Sequence, residues 1–460
     1  MKNKILSTLA LPLLLGGGTV LGQSTPEIAR LQKRLEELEQ KTSRLEAENR
    51  KLSGRTIEAP PSTVEKIKLA GGISELKLSS ELRLRYQYEN ADSQQYWDAN
   101  KGRYTSSHGS EQSRWRFRLR VAADFKLGDD WFAGIGLQTG QNADSGFQTY
   151  SGGFENYGVY LHRAFVGWNA AEWLTVVAGK QANPFYKSEL LWGNDLAPTG
   201  LSETFRLGPL LGAKTDWELT LVAGQFIFDD NIENFAGDPD RKVDAYLFEQ
   251  QLIARYPFND KVKLTVAPSF LFYNAANITL ARNTKSFSAA TAGAGWEDIG
   301  HTRDLHILQL PGDVAFPLFG RKARFLWDVA YNLAGDGRTR DIYGLASHEE
   351  HDNWAFLVGF ELGENKKKGD WSLGVNYRQV GVAAIDPNLN DSTWAFSNLN
   401  TKGWKVAAAY NFADFIIGSV TFFTADNLRK DLYGGQATGG AKLADLNSGQ
   451  AVQVDLSVKF

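Results

Sequence analysis

From about residue 76 to residue 460, the chain repeats one pattern of alternation. Sixteen segments of roughly 10 to 15 residues alternate apolar side chains with polar or small ones. A short connection and a long polar connection join them in turn. An even number of alternating strands, with short turns at one end and long loops at the other, is typical of a transmembrane β-barrel. We therefore predict a single all-β transmembrane barrel of 16 antiparallel strands over 76–460.

The stretch "SRWRFRLRV", Ser113–Val121, shows the alternation most clearly. Its even positions are arginines, at Arg114, Arg116, Arg118 and Arg120, and its odd positions are Trp, Phe, Leu and Val. In a transmembrane barrel, alternate side chains meet lipid and the others meet the lumen. The apolar stripe is therefore predicted to face lipid and the four arginines to face the lumen.

The first 22 residues are predicted to form a secretory signal peptide. Lys2 and Lys4 form a charged start, and Ile5–Leu15 form an apolar core that is too short for a membrane-spanning helix. Small residues around Gly22 are suited to cleavage. The mature chain is thus expected to leave the cytoplasm.

Residues 23–53 carry a heptad pattern that predicts a short N-terminal coiled-coil helix for oligomerisation. The a and d positions, spaced alternately by three and four, are Ile28, Leu31, Leu35, Leu38, Thr42, Leu45, Asn49 and Leu52. A narrow apolar seam of this kind needs a copy of itself. We expect a trimer, although an asparagine at an a position favours a dimer. Residues 54–75, with Pro60-Pro61 and Gly71-Gly72, are predicted to be a linker.

Composition excludes several other functions. The chain has no cysteine, which removes disulfides and thiolate chemistry, and its formal charge of -3 does not suggest a nucleic-acid partner. We find no catalytic constellation and expect neither an enzyme nor a resident metal or cofactor. The acidic loop 229–240 is a weak candidate for calcium, since it offers carboxylate oxygens but not the EF-hand spacing.

Three further stretches resemble a known family. "SSELRLRYQYENADS", "SRWRFRLRVAADFKLGDDWFAGIGLQTG" and "LHRAFVGWNAAEWLTVVAGKQANPFYKSELLWGNDLAPTG" are similar to the putative porin family of Gram-negative outer membranes. The resemblance implies an outer-membrane channel for passive diffusion, in contact with lipid and lipopolysaccharide. By analogy with porins, the third long loop, 183–199, is expected to fold inward as the constriction.

The predicted site residues follow from the alternation and from this analogy. The predicted pore-lining residues are Arg83, Arg85, Arg114, Arg116, Arg118, Arg120 and Lys180. The candidates in the constriction loop are Lys187, Glu189 and Asp195. A wall of arginines predicts a mild preference for anions. The same residues could instead form a structural charge network across the lumen, and the sequence leaves these two readings open.

A second function from another class is also open. The chain could be an envelope tether, anchored by its barrel, whose N-terminal helix in the periplasm grips peptidoglycan or another partner. A tether need not conduct ions, so conductance distinguishes the two functions.

Overall fold

The computed structural model separates residues 1–70 from residues 71–460 as two compact units. The described residues are five helical positions between 33 and 41, followed by 72–93, 95–98, 103–106, 110–140, 145–151, 153–186, 188–211, 217–229, 245–274, 304–341, 352–391, 394, 399–429 and 446–460. The predicted signal peptide and most of the coiled-coil segment lie outside them. Within the described part of the chain, no helix is both long and apolar enough to cross a membrane.

Sixteen antiparallel strands form the second unit, as predicted. Numbered β1 to β16, they are Ile73–Ser93, Ser110–Leu127, Trp131–Thr139, Val159–Ala171, Leu174–Lys180, Thr199–Arg206, Glu218–Asp229, Ala245–Pro257, Lys263–Val266 with Ser269–Tyr273, His306–Gln309 with Gly312–Leu318, Arg321–Asn332, Trp354–Gly363, Trp371–Val380, Thr401–Ala413, Ile416–Asn427 and Leu446–Lys459. Each strand pairs with its neighbours in sequence, and β1 also pairs with β16. The sheet therefore closes into a barrel without free edges.

The two faces of the wall have the predicted parity. On β2, Trp115 is 63% exposed on the outer face, whereas Arg118 is only 5% exposed on the inner face. The last strand repeats this pattern, with Val454 and Leu456 outside and Asp455 inside. Aromatic side chains cluster near the short turns. There, the ring of Trp131 stacks on the ring of Trp168, with 5.4 Å between their centroids. Such aromatic belts are typical of membrane interfaces.

One strand is shorter than its sequence pattern suggests. The alternation in the sequence predicts a strand over 200–212, but β6 ends at Arg206 and the short helix α1, Leu207–Leu211, follows. Gly208 and Pro209 explain the difference, because proline cannot donate to the strand ladder and glycine weakens it. A second short helix, α2, covers Gly335–Asp341 after β11.

Two long loops lie inside the barrel. Loop L3 (181–198) follows β5, and loop L7 (381–400) follows β13; their apolar side chains are buried against inward-facing residues of the wall. A barrel of sixteen strands alone predicts a lumen filled with water. That expectation is wrong for part of this lumen, because two loops and the wall form an apolar core there.

Gly179, where loop L3 leaves the wall, is predicted to tolerate no side chain. Its φ is 112°, and a Cβ would lie 2.4 Å from the carbonyl oxygen of Ala164. Gly179→Ala is expected to lower the free energy of unfolding by about 1–3 kcal/mol, measured by urea titration in detergent. Gly128→Ala is the control, since a Cβ there meets nothing within 4 Å. Equal stability of the two variants would contradict the argument.

Candidate channel lining and constriction

The six arginines predicted to line the pore lie side by side on β1 and β2. The register sets Arg83 opposite Arg118 and Arg85 opposite Arg116. Like charges that face each other across a sheet destabilise it. We call the set Arg83, Arg85, Arg114, Arg116, Arg118 and Arg120 the arginine ladder.

Carboxylates from three directions compensate this repulsion. Asp455 on β16 lies opposite Arg85 and accepts two hydrogen bonds from its guanidinium, at 2.7 and 2.8 Å. Glu89 pairs with Arg114 within the same two strands. Glu81 accepts from Arg118 at 2.7 Å and lies 3.2 Å from Arg83. The ladder is therefore also a charge network.

The fourth carboxylate comes from loop L3. Asp195 Oδ1 accepts from Arg118 at 2.8 Å and from Arg120 at 2.9 Å. Arg120 also donates to Gln138 Oε1 on β3 at 3.1 Å. Asp195 thus fixes one end of loop L3 against the ladder, which brings a predicted constriction residue and predicted lining residues together.

The middle of loop L3 is fixed to the opposite wall. Glu189 accepts from Lys405 on β14 at 2.6 Å and from Arg378 on β13 at 2.9 Å. Tyr186 and Ser188 donate hydroxyl hydrogen bonds to Asp313 and Asp328, on β10 and β11 respectively. Loop L3 therefore crosses the lumen and is tied to both sides.

The anchoring carboxyls of loop L3 are stabilised in the charged form. Burial opposes ionisation of Glu189, but Lys405 and Arg378 outweigh it and hold the pKa of this carboxyl well below its usual value of 4.5. Burial likewise opposes ionisation of Asp195, yet Arg118 and Arg120 hold its pKa below 3.8. Both side chains therefore remain anions at neutral and mildly acidic pH.

Loop L3 is consequently expected to stay anchored in mild acid. A carboxyl whose pKa is depressed on folding contributes stability above its unfolded pKa and loses it as the pH falls through the folded value. Since the ordinary values are 4.5 and 3.8, Glu189 and Asp195 should remain ionised at both pH 7 and pH 4.5. Glu189→Gln lacks one of these anchors at every pH, so its single-channel conductance should differ from that of the wild type at both pH values. Equal conductance of the two proteins at pH 4.5 would contradict the anchoring role.

The other predicted site residues are Lys180, Lys187 and the acidic loop 229–240. Lys180 donates to the carbonyl oxygen of Ala197 at 2.9 Å, so its ammonium closes the base of loop L3. Lys187 lies outside the described residues. So do residues 230–240 of the calcium candidate, and nothing is assigned there.

Sequence reasoning missed Arg378, Lys405 and Asp455 as partners of the site. Each lies at an inward-facing position of its strand, so the alternation could have placed it on the inner wall. Which inward charges meet one another depends on the path of loop L3 and on the closure of β1 with β16. The alternation along a strand predicts neither the path of the loop nor the closure of the barrel.

Comparisons with known proteins agree with this architecture. Residues 69–303 and 277–460 match the model of the family described as "Putative porin". No curated protein sequence matches the chain.

Solved porins give weaker likenesses. OmpF of Salmonella typhi, solved in complex with daunomycin, is 12% identical over 84% of this chain and 97% of its own, with a TM-score of 0.44. OprB of Pseudomonas putida, in a high-pH structure, is 9% identical over 84% and 94%, with a TM-score of 0.47. A triple mutant of Rhodopseudomonas blastica porin is 10% identical over 84% and 100%, with a TM-score of 0.40.

A closed sixteen-stranded barrel with an apolar outer face and a charged inner wall defines an outer-membrane β-barrel protein. Since the family model matches nearly all of this barrel, the chain belongs to the putative porin family. Membership places it among outer-membrane channels rather than enzymes.

Proposed function

We propose that this porin is a passive diffusion channel for small hydrophilic solutes and ions, with a mild preference for anions. One observation supports the preference more than any other. The ladder places six guanidinium groups on two neighbouring strands, and the carboxylates that pair with them include Glu81, Glu89, Asp195 and Asp455. Fixed positive charge is therefore concentrated along this wall.

Because carboxylates pair with these arginines, we expect a small effect. Paired charges produce weak fields beyond a Debye length, which is about 10 Å at 0.1 M salt. The arginines raise the local anion concentration only close to the wall. Neutral hydrophilic solutes of similar size are expected to pass as well.

Reconstitution of the full chain in a planar bilayer tests this function directly. Stable conductance steps are expected, and in a potassium chloride gradient the reversal potential should have the sign of a chloride preference. A folded barrel that never conducts would refute the channel and favour the envelope-tether function. A conducting barrel with a potassium preference would refute only the assigned selectivity.

The assembly of the protein is a separate part of the proposal. We expect residues 23–53 to form a periplasmic coiled coil that joins three copies, while the outer wall contacts lipid and lipopolysaccharide. The heptad pattern supports self-association, and contact with peptidoglycan would be an additional role of the same segment.

A further inference from the structure

Loops L3 and L7 share one buried apolar core within the barrel. Leu191 and Trp192 of L3 are 0% and 2% exposed, and Ile385 and Trp394 of L7 are 0% and 3% exposed. The wall residues around them are also buried: Val222, Phe226, Leu247, Leu271, Ile307 and Leu357. Side chains buried to this degree are typical of a protein interior and not of the surface of a water-filled channel.

Three hydrogen bonds of polar groups in this core connect the loops to each other and to the wall. The indole N–H of Trp192 donates to Glu249 Oε2 at 2.8 Å, and the backbone N–H of Gly193 donates to the carbonyl oxygen of Leu389 at 2.7 Å. The side-chain amide of Asn332 donates to the carbonyl oxygen of Ala383 at 2.8 Å. These bonds join L3 to the wall, L3 to L7, and L7 to the wall. The two loops are therefore docked as one body.

Arg378 connects the charged edges of both loops. Its guanidinium, on a side chain that is 2% exposed, donates to Glu189 of L3 at 2.9 Å and to Asp391 of L7 at 3.4 Å. It also lies 4.9 Å from the centre of the Trp394 ring. One buried cation thus holds a carboxylate from each loop.

The wall residues of the apolar core lie mainly on β7–β13. Among the described residues, its other members on the wall come from β15 and β16, and β1–β6 contribute only Ala91 at the margin. The arginine ladder lies on β1 and β2, which are otherwise outside this core. The interior is therefore divided into an apolar, filled part and a charged part.

We propose that L3 and L7 together form a plug that closes the lumen against β7–β13. Solutes then cross through the charged part of the interior, past the arginine ladder on β1 and β2 and past Lys405 on β14, and Arg378 is the positioning residue that holds the plug in place. This proposal rests on the channel function proposed above.

Four alanines provide a matched test of the plug. Ala122 lines a cavity of about 730 Å³ that also borders Arg120 and Asp195. Ala407 lines a cavity of about 360 Å³ that also borders Glu189 and Lys405. Ala330 and Ala384 are 0% exposed within the plug region. Because the chain has no cysteine, a single Ala→Cys variant reports one position.

A sulfonated, water-soluble methanethiosulfonate reagent is added to each conducting variant. Modification should lower the conductance of Ala122→Cys and Ala407→Cys by about half. Reaction at Ala330→Cys and Ala384→Cys should be at least about tenfold slower, because it requires local opening. Equal reaction rates at all four positions would overturn the plug while leaving the channel function intact. A wild-type barrel that does not conduct would instead refute the channel function.

Arg378→Met tests the positioning residue. Loss of the shared cation should release both loops, raise conductance about twofold or more, and accelerate thiol modification at Ala330→Cys. Arg378→Lys should restore part of the wild-type behaviour, since it keeps the charge. Arg324→Met is the control, because that guanidinium pairs with Glu361 on the wall at 3.0 Å. If Arg378→Met does not fold, Asp391→Asn tests the L7 arm alone. Wild-type conductance and thiol reactivity in either variant, once folded, would refute the assignment of Arg378.

Discussion

Replacing Arg83 and Arg116 together with glutamate is expected to change the channel from an anion preference to a cation preference. Each replacement makes the charge of the ladder more negative by two, so the double variant makes it more negative by four. Arginine does not titrate at physiological pH, so the wild-type wall keeps its charge under all ordinary conditions. The chloride-to-potassium permeability ratio should fall from about 2 to below 1.

Reversal potential in a potassium chloride gradient measures this change. The shift should be large near 0.1 M salt and small near 1 M, where the Debye length is only about 3 Å. Lys126→Glu is the control, since the ion pair of Lys126 with Glu75 is more than half exposed. An unchanged reversal potential in a folded double variant would show that the ladder is outside the ion path and only structural.

Arg118 is a poor choice for a test of selectivity. Its side chain is only 6% exposed and pairs with both Glu81 and Asp195. The sequence presents the four arginines of β2 as equivalent, because each occupies the same face of one strand. The structure distinguishes them by the carboxylates that reach each one, and Asp195 reaches Arg118 only because loop L3 folds inward.

The parity of the wall could be predicted because lipid imposes it. Every lipid-facing position must be apolar over the full thickness of the membrane, so the alternation repeated over many strands predicts Trp115 outside and Arg118 inside. Loop L7 could not be placed in this way. The apolar run Val382–Ile385 in a long loop was the available signal, since solvent-exposed loops are rarely so apolar. Its docking site depends on contacts with L3 and with strands far away in sequence.

Replacing Arg118 with glutamine is expected to destabilise the barrel by about 3 kcal/mol or more. Removing one partner of a buried ion pair leaves the other charge without compensation, and this loss is larger than the net contribution of an intact pair. Here two carboxylates, Glu81 and Asp195, would lose the same cation, and each would keep only one arginine, Arg83 and Arg120 respectively. The measurement is the urea midpoint of unfolding in detergent, followed by the mobility of unheated samples on a gel.

A double-mutant cycle separates the ion pair from a general loss of packing. If the weakened compensation of Glu81 causes part of the damage, Glu81→Gln should cost less in the Arg118→Gln background than in the wild type, with a coupling energy of about 1–3 kcal/mol. Arg114→Gln is the matched comparison, because its side chain is 25% exposed and water can solvate the Glu89 that it leaves. Additive effects of the two changes would show that Arg118 acts through packing alone. A positive coupling, together with noisier open-channel current from a loosened L3, would show that one arginine both balances the wall and holds the constriction loop against it.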